Sequence, residues 1–404
     1  MAILTTLFFI LFVIVFPIGQ LIGFTPFKSV NFSLLEVFTL LTFLSWVIFA
    51  KKRKFKNKLL FPLCLFVGIL IVSLIVNVFG VPGNILFNAF LYTIRWVLYL
   101  SIFFVVINTT NRFKNLILYF MIIGGFIAMA IGYFQYFLFP SLQSLYKYGW
   151  DEHLYRLFSS FLDPNFCGII LSLAFILNFY LLPKIKDNKY MILFVVLQIL
   201  TFTSILLTYS RTGIITLVFS TVTFLILNKK RKLALGFVIL LLLSIFLLPK
   251  ISAFISVKTF RIEGTNFLRT TSTQARIQAI KDGVALFSQK PILGVGFNNL
   301  RYEQYRKGII GGPNWETTHA GGGTDNSFLF VAETTGVIGL AAYIFLLYSI
   351  FHLLFKIRHK KPQLSVIAIS SLAGVIVGSF FINGLFYPFI MLWLWSLIGA
   401  TLNT

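Results

Sequence analysis

Apolar stretches of about twenty residues, the length that carries an α-helix across the hydrocarbon of a bilayer, recur along this sequence. A chain built this way has few options. Backbone N–H and C=O groups inside lipid must be satisfied within the spanning element, and a helix does so alone. Composition agrees: 58% of the residues are hydrophobic and 11% are charged, against roughly 25% charged in an average soluble domain. The sequence therefore predicts an all-α polytopic membrane protein of about twelve spans. They fall near 2–23, 33–50, 59–79, 85–107, 116–139, 161–183, 190–208, 211–228, 233–249, 326–355, 363–382 and 386–402. The first stretch has no basic start and no small-residue cleavage pattern, so it is expected to stay as a helix rather than leave as a signal peptide.

A net charge of +23 would suggest nucleic acid as the partner of a soluble protein. Here the basic residues cluster between spans, around 51–58, at Arg112 and Lys114, and around 184–189, 229–232 and 356–361. Short basic loops mark the cytoplasmic side. Alternating sides from a cytoplasmic N-terminus puts all these clusters inside, with both termini cytoplasmic. The connections near 28, 80–82, 139–160, 209–211, 250–325 and 383–384 then face outward. The chain divides into a nine-helix region (1–249), an extracytoplasmic loop (250–325) and a three-helix region (326–404). The loop is itself basic, which long loops tolerate, and a basic outward surface beside a membrane suits an anionic partner. Within it, STQARIQAIKDGVALFSQKP places Ile277, Ile280, Val284 and Phe287 at helical spacing. Ser272 is the expected cap, Pro291 and Gly294 the stop. Such a helix is expected to lie on the membrane surface, apolar face down. Cys64 and Cys167 lack metal-ligand spacing and read as small hydrophobes.

Few polar residues are placed to do chemistry. Arg211 precedes the eighth span on the outer side, either as a snorkelling side chain or as a fixed cation over an outer cavity; the short connection favours the cation. Arg276 opens the loop helix, where a solvated polar face is the alternative. Arg95 lies inside the fourth span, where a charge costs at least about 2.5–3.5 kcal/mol and needs a partner or water. Glu333, within the tenth span, is the partner to consider. Asp163 before Pro164 suits an N-cap and first helical position, and Asp325 or Asn326 caps the tenth span equally well. His319 precedes three glycines and stands six residues before Asp325. An imidazole and a carboxylate thus come together beside arginines, and the glycines let the segment fold over the bundle.

Four segments carry a resemblance: DPNFCG (163–168), SRTG (210–213), ARIQAIKDGVALFSQKPILGVGF (275–297) and TDNSFLFVAETTGVIGL (324–340). In this order, around a large outer loop, they resemble the O-antigen ligase and O-antigen polymerase superfamily of bacterial membrane glycosyltransferases. The resemblance implies a GT-C-like enzyme of the cytoplasmic (inner) membrane with its active site facing outward. It also implies action on glycans carried by undecaprenyl diphosphate, with no metal and no cofactor. By motif match the superfamily's two functional arginines fall on Arg211 and Arg276. Asn165, Asn326 and Arg95 are candidate further substrate contacts, with Arg95 read as architectural first and functional second. Ligases usually carry His-Asn where this chain has Asp325-Asn326, and the Asp-Asn form is more like polymerase-type members. Asp325 or His319 is then the base that takes the proton of an acceptor hydroxyl. Expected partners are the lipid-linked donor and acceptor, membrane lipids, and a chain-length regulator and flippase; nucleic acid is not among them. Two other functions compete: a ligase delivering glycan to a lipid or protein acceptor, and a transporter, although the halves show no repeat of the kind transporters carry.

Overall fold

The computed structural model describes residues 3–27, 30–50, 55, 57–148, 150–255, 271–312, 315–316 and 323–402. Twelve apolar helices follow the expected segments one by one. They are α1 (Ile3–Val15), α2 (Leu34–Phe49), α3 (Leu60–Val76), α4 (Gly83–Ile107), α5 (Asn111–Leu138) and α6 (Pro164–Asn178). Then come α7 (Asn188–Leu207), α8 (Arg211–Leu227), α9 (Arg231–Ile255), α12 (Ser327–Ile357), α13 (Pro362–Gly378) and α14 (Pro388–Thr401). Between α9 and α12 lie α10 (Thr271–Gln289) and α11 (Leu300–Arg306). Five helices, α4, α5, α7, α12 and the α6 region, are long and apolar enough to cross a membrane, and the other apolar helices are shorter. The all-helical expectation misses one element: Gly23–Phe27 (β1) pairs antiparallel with Val30–Ser33 (β2) ahead of α2.

The centre of the bundle is α14, buried at every position after Pro388, as expected of a helix apolar on all sides. Its last carbonyls are met by lysines. Lys114 Nζ donates to Leu402 O at 2.7 Å, and Lys361 Nζ to Thr401 O at 3.0 Å. Cations favour that end of a helix dipole.

Helix α8 is gripped from two sides by small residues. Gly213 meets Gly168 of α6 so closely that a Cβ on Gly213 would stand 2.9 Å from Gly168 Cα. On the other side Gly374 and Gly378 of α13 lie against Ser220 and Thr216 of α8. Small residues four apart are a common device for close helix contact in membranes. The start of α8 is thereby fixed against the start of α6.

The loop and α12 depart from expectation together. The tenth span reads as continuous, but α12 breaks at Gly336, whose φ is +69, a conformation glycine alone adopts readily. The broken turn leaves backbone groups that the loop supplies with partners. Val295 N donates to Glu333 O at 2.9 Å, Gly296 N to Thr334 O at 3.0 Å, and Val337 N to Pro291 O at 2.8 Å. Ser73 and Asn77 of α3 hold the same segment through Leu293 O and Gly294 O. The GVGF stretch, which follows the expected stop of the loop helix, is therefore wedged into the bundle.

Helix α10 forms as expected, although it begins at Thr271, ahead of Ser272. It docks on α12 with Gly283 and Leu286 buried, while Ile277, Ile280 and Val284 stay exposed. Cys167 is buried and Cys64 exposed, both as free thiols.

Candidate active site

The chain gathers its candidate polar residues where α6, α8 and α12 begin, at the end of the bundle away from the basic clusters. Asp163 caps α6, accepting from Asn165 N at 2.6 Å and Phe166 N at 3.3 Å. Its capping role is therefore real. Asn165 turns toward α8, accepting from Ser210 Oγ at 3.0 Å. Ser210 in turn caps α8 through Gly213 N at 3.0 Å. Arg211 follows directly as the first residue of that helix. Two caps, one side-chain bond and one glycine pair thus fix the start of α8, where Arg211 stands, against the start of α6.

At α12 the two capping candidates separate. Asn326 is the N-cap, accepting from Phe328 N at 2.9 Å and Leu329 N at 3.0 Å. Asp325 is released from that duty and pairs with Arg276, Oδ2 to Nε at 3.4 Å. Arg276 is also close enough to Arg211 for the two like charges to couple. Burial raises the Asp325 pKa above the usual aspartate value, and Arg276 pulls it back down. Half of the Asp325 side chain remains exposed, so the carboxylate is accessible as well as perturbed. The structure therefore joins Arg211, Arg276 and Asp325, with Asn165 and Asn326 as neighbours. His319 lies outside the described residues.

Arg95 does not pair with Glu333. It bonds Glu36 through Nη2 and the Tyr99 hydroxyl through Nε, with the rings of Phe32 and Tyr92 beside its guanidinium. Glu36 sits in the first turn of α2, 4% exposed, a buried acid that the apolar count passed over. Glu333 instead accepts from Thr324 Oγ1 at 2.8–2.9 Å and lies over Gly283 of α10. It ties the loop helix to α12.

Two residues of the connection between α5 and α6 were missed. Burial raises the pKa of Asp151, and Asp163 and Asp325 raise it further, so it faces the same region. Arg156, 4% exposed, donates from Nε to Thr208 O at 2.9 Å, buttressing the turn before Arg211. The available signal was four charges, Lys147, Asp151, Glu152 and Arg156, ahead of Asp163 in one connection of a chain poor in charge.

Apolar helices from end to end, with a polar, cation-rich cluster where three of them begin, mark an integral membrane protein with a candidate site at one end. Residues 196–344 match the family model described as O-antigen ligase, in agreement with the resemblance read from the motifs. The matched stretch contains Arg211, Arg276 and Asp325. The match points to a glycosyltransferase-like enzyme of the ligase and polymerase kind and gives no support to transport. No curated protein matches the chain.

Proposed function

We propose that this protein polymerises a bacterial surface polysaccharide at the outer face of the cytoplasmic membrane. It transfers glycan from undecaprenyl diphosphate to a sugar hydroxyl of a second lipid-linked repeat unit. The observation that carries this reading is the contact of Arg276 with Asp325 at 3.4 Å beside Arg211.

The chemistry follows from charge. As the glycosidic bond breaks, the bonding pair goes to the diphosphate oxygen, and negative charge grows there. Guanidinium groups meet phosphate with a fixed fork of donors and keep their proton. Two of them already in position stabilise the leaving group without reorganising, the effect that dominates many enzyme accelerations. A diphosphate drawn to Arg276 competes with Asp325 for it. Losing that partner makes Asp325 a stronger base, ready to take the acceptor hydroxyl's proton as the oxygen attacks the anomeric carbon. General-base assistance of this kind is typically worth about 10²–10⁴-fold. One displacement from the face opposite the diphosphate inverts the anomeric centre. The cations come from the chain itself, so the reaction as drawn uses neither metal nor cofactor. His319 is the alternative base.

A ligase is the second reading, and the family description favours it. Against it stands Asp325 at the position where ligases usually carry histidine. Deleting the gene and banding the surface polysaccharide on a gel separates the two. Loss of a polymerase leaves single repeat units at the surface, whereas loss of a ligase strands full-length polymer on its carrier.

A further inference from the structure

A cavity lies beside the first turns of α12, between that helix, α4 and α14. It holds about 190 Å³, room for roughly six waters at ~30 Å³ each. One pyranose ring fits such a space. Tyr92, Arg95, Trp96 and Tyr99 of α4 line it, with Asn298 from the loop and Asn383 from the connection before α14.

Three features distinguish this cavity from a packing void. Trp96 is 4% exposed, and its indole N–H has no hydrogen-bond partner among the described residues. Buried donors are almost always paired, and an unpaired one costs about 1–3 kcal/mol. That N–H has no free surface, so a hydroxyl in the cavity would satisfy it after a small turn of the indole ring. Next, the Arg95 charge is balanced by Glu36, while a guanidinium has five N–H donors, more than Glu36 and Tyr99 use. The charge in the wall itself is therefore balanced while donors remain, which suits hydroxyls, and Arg301 stands near Tyr92. Finally, Asn298 sits at φ +61, a left-handed position that asparagine tolerates better than most residues. Strained residues of this kind gather at ligand contacts. Flat aromatic faces with a few fixed polar groups match a sugar ring, which offers C–H faces and a rim of hydroxyls.

The cavity also adjoins the candidate active site. Ser327, two residues after Asp325, donates from Oγ to Asn383 Oδ1 at 3.0 Å, and Phe330 lies in the cavity wall one turn further along.

We propose that this cavity is a monosaccharide subsite, taking one uncharged pyranose of the glycan beside the reacting centre. The identity of the glycan rests on the glycosyltransferase reading; the binding itself does not. Saturation-transfer NMR on the purified protein, with a panel of methyl hexopyranosides and methyl N-acetylhexosaminides, tests it. At least one panel member should show transfer from the protein. Trp96→Phe and Asn298→Gly should each weaken its binding by roughly three- to tenfold, the worth of one hydrogen bond. Asn298→Gly suits the positive φ, so it carries the test if Trp96→Phe fails to fold. Binding by no panel member, or binding that the folded variants leave unchanged, overturns the proposal. Catalysis is not read here, so a failure of the transferase assignment would show only in the arginine variants described below.

Discussion

Replacing Gly213 with alanine tests how the site is positioned. The new Cβ would stand 2.9 Å from Gly168 Cα and 3.1 Å from Gly168 C. Carbon atoms in relaxed contact sit about 3.5–4.0 Å apart, so α6 and α8 must separate by roughly 0.6–1 Å. The neighbour is backbone and cannot rotate aside. Overpacking of this kind costs about 1–3 kcal/mol, which leaves a well-packed bundle folded but moves Arg211, two residues away, relative to Asn165. Misplacement by about 1 Å is worth on the order of 10²-fold in rate. Gly213→Ala should therefore lower glycosyl transfer by about 10²-fold while melting a few degrees below wild type. Gly168→Ala should lose less, since its closest approach is 3.1 Å and its next neighbours are the side chains of Thr208 and Ser210. Gly68→Ala, with nothing within 4 Å, is the neutral control. Transfer rate on lipid-linked repeat units and a thermal melt supply the readouts. Wild-type rate and melting in Gly213→Ala would refute the claim that this glycine pair sets the site.

Other outcomes follow from the same geometry. Removing one partner of the Arg95–Glu36 pair strands a buried charge and should cost about 3–5 kcal/mol; a thermal melt should show Arg95→Met with Glu36→Gln recovering part of either single loss. Asp325 acts as a base only when ionised, so transfer should fall as pH drops through its raised folded pKa. Arg276 lowers that pKa, so the residual activity of Arg276→Gln should have its acid limb at higher pH, read from a pH–rate profile. A Cβ at Gly283 would collide with Glu333 and Leu329, so Gly283→Ala should loosen α10 from α12 and speed proteolysis of the loop.

The helices were legible because lipid leaves a chain almost no alternative, and hydropathy with basic loops marks each of the twelve segments. The site was legible in part. Arg211 and Arg276 stood out as cations away from the basic clusters, and Asp325 as a carboxylate at a helix start. Competition between caps could not be read: Asp163 and Asn326 do the capping, and only coordinates separate Asn326 from Asp325. The Arg95 partner was missed because Glu36 looks like an ordinary first-turn acid, and its burial depends on how α2 meets α4. The break at Gly336 was equally hidden. A glycine in an apolar run reads as helix until the GVGF segment, some forty residues upstream, supplies the freed backbone groups with partners.

The most direct measurement incubates the purified protein with an undecaprenyl-diphosphate-linked repeat unit and follows product length and diphosphate release. Wild type should yield lengthening chains with one lipid diphosphate freed per bond, while Arg211→Ala and Arg276→Ala, equally folded, should yield neither. Chain growth in either arginine variant at the wild-type rate would contradict the account.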